Sequence, residues 1–117
     1  MSGTNNELIL SGSINGKLIK VAATSSPGTL IHTAVAGTTT FDNIYLYCHN
    51  NHTADVQLTI EWGGSTTDDQ LIVGIPFREG KVLTIPGLPL QNSLIIRAFA
   101  SVTNVVFISG LVNQRIN

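Results

Sequence analysis

Cys48, His49 and His52 fall within five consecutive positions, and a thiol with two imidazoles is a zinc-ligand set in type. Zinc needs three or four such donors converging on one point. If the run around Cys48 and His49 is extended, those two neighbours face opposite ways, and the third histidine, His32, is remote in the chain. The expectation is therefore a buried thiol, a loop histidine and no metal. Acid–base chemistry needs two carboxylates across a cleft. The adjacent Asp68 and Asp69 sit in a polar run and read as solvated turn residues. The residue types of a Ser-His-Asp triad are all present, but no strand–turn–helix elbow presents a nucleophile. Gly63-Gly64 lacks the Lys and the following helix of a phosphate loop. Asn51-His52-Thr53 has the spelling of a glycosylation acceptor, but with no leader ahead of it the match reads as chance. These readings predict neither a cofactor nor an enzyme.

Three further residues carry side chains suited to recognition. Arg97 lies inside an apolar strand, so its charge must be paired or face a wet groove. Two accounts are open: an intramolecular partner such as Glu61, or presentation to a neighbouring subunit, where the planar guanidinium suits bidentate contacts. Tyr45 and Tyr47 alternate with Ile44 and Leu46. They would cover a second sheet, stack on a sugar or pack on another chain.

The stretch that positions most of these residues runs from Phe41 to Gly64. Ile44, Leu46 and Cys48 share one phase and Tyr45, Tyr47 and His49 the other. Val56, Leu58, Ile60 and Trp62 then alternate with Asp55, Gln57, Thr59 and Glu61. A period of two means strands with one buried and one wet face. Joined by the turn-like Asn50–Thr53, they predict a long antiparallel hairpin.

The rest of the chain is punctuated in the same way. Met1–Glu7 is small and polar and reads as a loose arm (residues 1–7) ahead of a single domain over 8–117. Leu8–Ser13 and Lys17–Ala23 flank Asn15-Gly16, a strong signal for a hairpin turn. Thr24–Gly28 is a loop, Thr29–Val35 a strand and Ala36–Thr40 a link. Ser65–Asp69 is a loop, and Gln70–Ile75 a strand ended by Pro76. Arg78-Glu79-Gly80 is a turn, Lys81–Ile85 a short strand, and Pro86-Gly87-Leu88-Pro89 a rigid crossing. Ser93–Ala100 and Asn104–Val112 form a last hairpin, apolar enough to be covered on both faces, before the polar tail Asn113–Asn117. About nine strands with turn signals every 8 to 12 residues and no helical period predict an all-β, antiparallel β-sandwich of jelly-roll type. The expected core includes Leu46, Val56, Leu58, Ile60, Trp62, Ile96, Phe99 and Phe107.

Composition narrows the class. Charged residues are 11% of the 117, against about 25% in an average soluble protein. Ser, Thr and Asn, at 9, 13 and 10 copies, take their place. Charge is the usual means of keeping sheets apart, so the surface reads as one that lives against partners. A net charge of −1 without a basic run argues against nucleic acid. No stretch of about 18 apolar residues predicts a membrane helix, and no basic-then-apolar leader precedes the first strand. With a single Cys, the expectation is a chain made in a reducing cytoplasm.

The pattern LIHTAVAG, FDNIYLYCHN, ADVQLTIEWGG, IPFREGKVLTIPGLPL, LIIRAFAS, NVVFISGLVN resembles the small all-β virion proteins of tailed bacteriophages, most of all the head decoration, or cement, proteins. The resemblance spans about residues 29 to 113 and rests on strand alternation and turns, with no catalytic group in it. It implies a cytoplasmically made virion subunit that docks on the major capsid protein of an assembled shell, as a homo-oligomer and often a trimer. The arm residues Ser2, Thr4, Asn5, Asn6 and Glu7, together with Arg97, are the expected partner contacts. A tail- or fibre-associated module binding host glycan through Tyr45, Tyr47 or Trp62 is the alternative. A glycan hydrolase would need paired carboxylates that the seven acidic residues, mostly in turns, do not supply.

Overall fold

A computed structural model describes residues 5–77 and 82–116. The described residues form nine strands and no α-helix: β1 (Asn5–Leu8), β2 (Ile19–Val21), β3 (Thr29–Thr33), β4 (Thr40–Asn50), β5 (Val56–Trp62), β6 (Gln70–Ile75), β7 (Val82–Leu90), β8 (Ile95–Ala100) and β9 (Val106–Ile116). A single 3-10 turn, Thr67–Asp69, precedes β6, closed by Thr66 Oγ1 donating to Asp69 Oδ2 at 2.9 Å.

All pairings are antiparallel. β5 pairs with β6, β4 with β7, β3 with β8 and β2 with β9, a nested set like one long hairpin with its tip between β5 and β6. Two further pairings, β4 with β9 and β5 with β8, wrap that ribbon into two sheets. The first sheet runs β9–β4–β7, with β1 and β2 both laid along the outer side of β9; the second runs β3–β8–β5–β6. This winding is a jelly roll, and the chain is an all-β sandwich.

The strands of the central stretch are where expected, but they do not pair as a hairpin. β4 belongs to the first sheet and β5 to the second. Alternation marks which face of a strand is apolar, and two such faces can meet across a core as well as lie side by side. Residues 51–55 are long enough to cross the roughly 10 Å between packed sheets. β8 and β9 are divided between the sheets in the same way. Their outer faces are half-buried, not fully covered.

Asn15-Gly16 does make a positive-φ turn, at 55° and 88°, closed by Lys17 N donating to Ile14 O at 2.9 Å. It joins no hairpin. β1 pairs with Val112–Arg115 and β2 with Val106–Ile108, end to end along β9, and residues 9–18 loop out between them. The expected strand Leu8–Ser13 is therefore cut at Leu8. Asn5–Glu7, expected in the arm, sit in the ladder opposite Arg115–Asn113. The Arg78-Glu79-Gly80 turn lies outside the described residues.

Pro86-Gly87-Leu88-Pro89 is no crossing. It is the end of β7, an edge strand that runs to Leu90 with register shifts at Gly87 and Thr84. Prolines are tolerated there because an edge leaves half of its N–H groups outside the ladder.

The core is aliphatic: Ile44, Leu46 and Cys48 of β4, Val56, Leu58 and Ile60 of β5, and Ile96, Ala98, Val106, Ile108 and Val112 are buried. Trp62 packs half-buried at its rim. Phe99 and Phe107 are corrections to the expected core. Both point outward, half-buried, opposite Thr59 and His49 respectively. In β8 and β9 apolar residues occupy both phases, so period alone could not choose between them, and the branched and small residues won the interior.

Candidate functional site

The groups that could do chemistry are best judged by what holds them. His32 on β3 and Asp42 on β4 meet between the sheets, His32 Nε2 lying 2.8 Å from Asp42 Oδ2, both buried. The other ring nitrogen, Nδ1, accepts the backbone N–H of Ser11 at 2.9 Å. That contact fixes Nε2 as the protonated nitrogen, donating to the carboxylate. Asp42 also accepts from Val35 N (3.1 Å, on Oδ2) and from Gln114 Nε2 (3.1 Å, on Oδ1). A His held by an Asp is the orienting half of a hydrolytic triad. Here the nitrogen that would take a nucleophile's proton is occupied by a backbone N–H. Ser11 Oγ is itself engaged, accepting Thr33 N at 2.6 Å. The pair is a tie between sheets. It went unseen in the sequence because ten residues and a sheet crossing separate its members; an Asp in the inward phase of an otherwise apolar strand is the one signal of it.

Glu61 is the second buried acid. It projects from the outer face of the second sheet beneath the 22–28 loop, accepting Ser26 Oγ at 2.5 Å and Gly28 N at 2.7 Å. Arg97 is its neighbour across the ladder but not its ion-pair partner. The guanidinium reaches Gly28 O at 3.4 Å and lines an open groove of about 230 Å³ with Ser65 and Leu94. The loop satisfies the acid with neutral donors and leaves the cation half-exposed.

Asn50 does similar work at the other end of the sandwich. Its buried amide donates to Ala54 O, Ile75 O and Pro76 O and accepts His52 N at 2.8 Å, fixing the crossing from β4 to β5. Cys48 is buried, with Thr84 Oγ1 donating to its sulfur at 3.0 Å. Burial pushes its thiol up to about 11, a rise the Thr84 hydrogen bond only partly offsets. His49 faces outward against Ser109 Oγ at 3.2 Å. Cys48 and His49 thus face opposite ways. Among the described residues no three His, Cys, Asp or Glu side chains gather as metal ligands, and no helix is long and apolar enough to cross a membrane.

What the fold presents outward is apolar and little charged. The loop between β1 and β2 exposes Ile9 (54%), Ile14 (73%) and Leu18 (49%). Ile14, Leu18 and Leu30 line an open trough of about 410 Å³ whose rim carries Lys17 and Lys20. At the opposite end, Phe41, Pro89, Leu90 and Leu94 line a second open groove of about 630 Å³. On the outer face of the first sheet stand Tyr45, Tyr47, His49 and Phe107, half-buried among themselves. Tyr45 lies over Gly87, where an added Cβ would meet its ring at 2.9 Å. Gly87 has a φ of +100°, so the bulge that needs a glycine also makes room for the ring.

Of the expected partner residues, Ser2 and Thr4 lie outside the described residues. Asn5, Asn6 and Glu7 lie in β1 opposite Arg115, Gln114 and Asn113, and Glu7 is exposed. The structure does not bring Arg97 together with them: it is on β8 of the second sheet, they are on the first. No known protein family, curated protein or solved structure matches the chain.

Proposed function

We propose that the chain is a non-enzymatic virion structural protein, a decoration (cement) subunit that binds the major capsid protein on the outside of an assembled bacteriophage head and stabilises it. The observation that carries the reading is the apolar trough at Ile14, Leu18 and Leu30, on a fold whose buried acids and buried histidine are spent on structural hydrogen bonds. Large apolar side chains gathered on an exposed loop mark an interaction surface. Two lysines at the rim suit a partner with acidic residues around an apolar centre. The resemblance to phage decoration proteins supplies the kind of partner, and a small homo-oligomer, a trimer in that resemblance, supplies simultaneous contacts on a symmetric shell.

The arrangement of Tyr45 over Gly87 favours a second reading, a tail- or fibre-associated module that binds glycan on the outer face of the first sheet. Trp62, packed at the core rim, is no part of such a platform. Co-sedimentation of the purified protein with shells lacking it tests the first reading: saturable binding at a fixed number of copies per shell is expected. Absence of binding, with retention on a host-surface polysaccharide column lost in Tyr45→Ala, would replace it with the second.

A further inference from the structure

The sandwich has two sheets and so two pairs of edges, and most of this perimeter is guarded. β7 is broken by two bulges and by Pro86 and Pro89. The edge along β9 is filled by two short pieces, β1 and β2, the second carrying Lys20. β3 shifts register between Leu30 and His32. Bulges, prolines, charges and short strands are the usual ways of stopping a sheet edge from pairing with another chain. β6 has none of them. Its residues, Gln70 to Ile75, include no charge and no proline, run in unbroken register with β5, and pair on one side only. Alternate residues of such a strand turn both N–H and C=O outward, a ready template for another strand.

The side chains say which strand fits. Ile72, 60% exposed, and Gly74 share the outer face of the sheet, opposite Thr59 and Gln57. A Cβ on Gly74 would meet nothing within 4 Å. The depression there, about 420 Å³, is lined by Ile72 itself with Asp55, Gln57 and Ser101. β6 thus carries a knob and a hole two residues apart. When two antiparallel copies of a strand are related by a two-fold axis normal to the sheet, one residue must lie opposite its own copy, because opposed residues share a face. With Val73 on the axis, Ile72 of each copy falls opposite Gly74 of the other, and Leu71 opposite Ile75. Asp69 falls opposite Phe77, itself 57% exposed, so no like charges meet.

We infer that β6 is a self-pairing edge that joins two copies of this chain through an antiparallel ladder centred on Val73, with Ile72 of each copy seated over Gly74 of the other. The second sheets of the two copies become one continuous sheet. A single strand edge buries less than the roughly 1,200 Å² of a standard interface, so the pair is weak in dilute solution and fills where copies are held close together. The inference concerns a second copy of the chain and does not depend on the shell reading.

The test is sedimentation velocity over a concentration series, with thermal melts to check folding, on the wild type, Ile72→Gly, Gly74→Ile and the double variant that exchanges the two. The wild type should show a concentration-dependent dimer. Each single change, making hole face hole or knob face knob, should weaken it roughly tenfold or more. The exchange should restore it, since the knob and hole have merely traded places. Ile72→Lys, an exposed change, should weaken it as well, and Leu111→Lys on the other sheet should not. A wild type that stays monomeric into the millimolar range, a folded double variant that does not recover, or a trimer indifferent to positions 72 and 74 would overturn the inference.

Discussion

His32 and Asp42 form a buried inter-sheet hydrogen bond of 2.8 Å in which the imidazole is locked from both sides, by a backbone N–H on Nδ1 and the carboxylate on Nε2. One strand of each sheet supplies a partner, so the bond acts between the two layers where ladder hydrogen bonds cannot. His32→Ala leaves Asp42 buried with two of its three donors and opens a cavity between the sheets. The expected loss is on the order of 3 kcal/mol, the range for depriving a buried charged acceptor of a partner. Gln114→Ala, which removes a donor at a half-buried position, should cost about 1 kcal/mol. Urea midpoints at constant slope measure both. A His32→Ala loss no larger than that of Gln114→Ala would mean the tie is decorative.

Cys48 makes the protein sensitive to alkali. The native thiol keeps its proton to about 11, while in the unfolded chain it ionises near 9.0. Between those values the native state holds the extra proton, so this contribution is fully present below pH 9 and is lost as pH rises towards 11. The slope is at most about 1.4 kcal/mol per pH unit. The difference between wild type and Cys48→Ala isolates the share of the thiol. The gap in unfolding free energy between the two proteins should shift in favour of Cys48→Ala as pH climbs from 8.5 to 10.5. Parallel curves would show that the thiol is not desolvated.

Gly87→Ala is expected to destabilise by about 1–3 kcal/mol, well above the usual surface change. The φ of +100° is strained for any residue with a Cβ, and that Cβ would meet the Tyr45 ring at 2.9 Å. Tyr45→Ser in the same background removes the clash but not the strain, so it should relieve only part of the loss. Full relief would assign the whole effect to the ring.

The strands and their inward phase were legible because alternation is written in single residues: Ile44, Leu46 and Cys48 against Tyr45, Tyr47 and His49; Thr59 and Glu61, expected on a wet face, are buried. Partnership was not. Nothing in the run from Phe41 to Gly64 distinguishes two strands that share a ladder from two that face each other across a core, and the decision falls to long-range pairings such as Ile44 with Val112 and Ile60 with Ala98. The phase of Phe99 and Phe107 was hidden for a different reason, since apolar residues on both faces carry no period. That Cys48 and His49 face opposite ways was legible from adjacency alone. The roles of His32, Asp42 and Asn50 were not, because a buried polar network is assembled from residues that only the winding brings together.

The shell reading is put to its quantitative test by the loop between β1 and β2. Ile14 and Leu18 are 73% and 49% exposed and contribute little to the core, so Ile14→Asp with Leu18→Asp should change unfolding free energy by no more than about 0.5 kcal/mol per site, the range for surface substitutions. On a shell the same side chains would be buried against the partner, and two acids would be desolvated in an apolar contact beside Lys17 and Lys20. Binding to undecorated shells should then weaken by roughly tenfold or more. The companion change at the far groove, Leu94→Asp, provides the control, since Leu94 is also exposed and apolar but lies at the other end of the sandwich. If Leu94→Asp abolishes binding and the loop variant binds as the wild type does, the docking surface is the 630 Å³ groove at Phe41, Pro89 and Leu90. If both variants bind normally, neither apolar end of the molecule is the anchor and the decoration reading loses the observation that carries it.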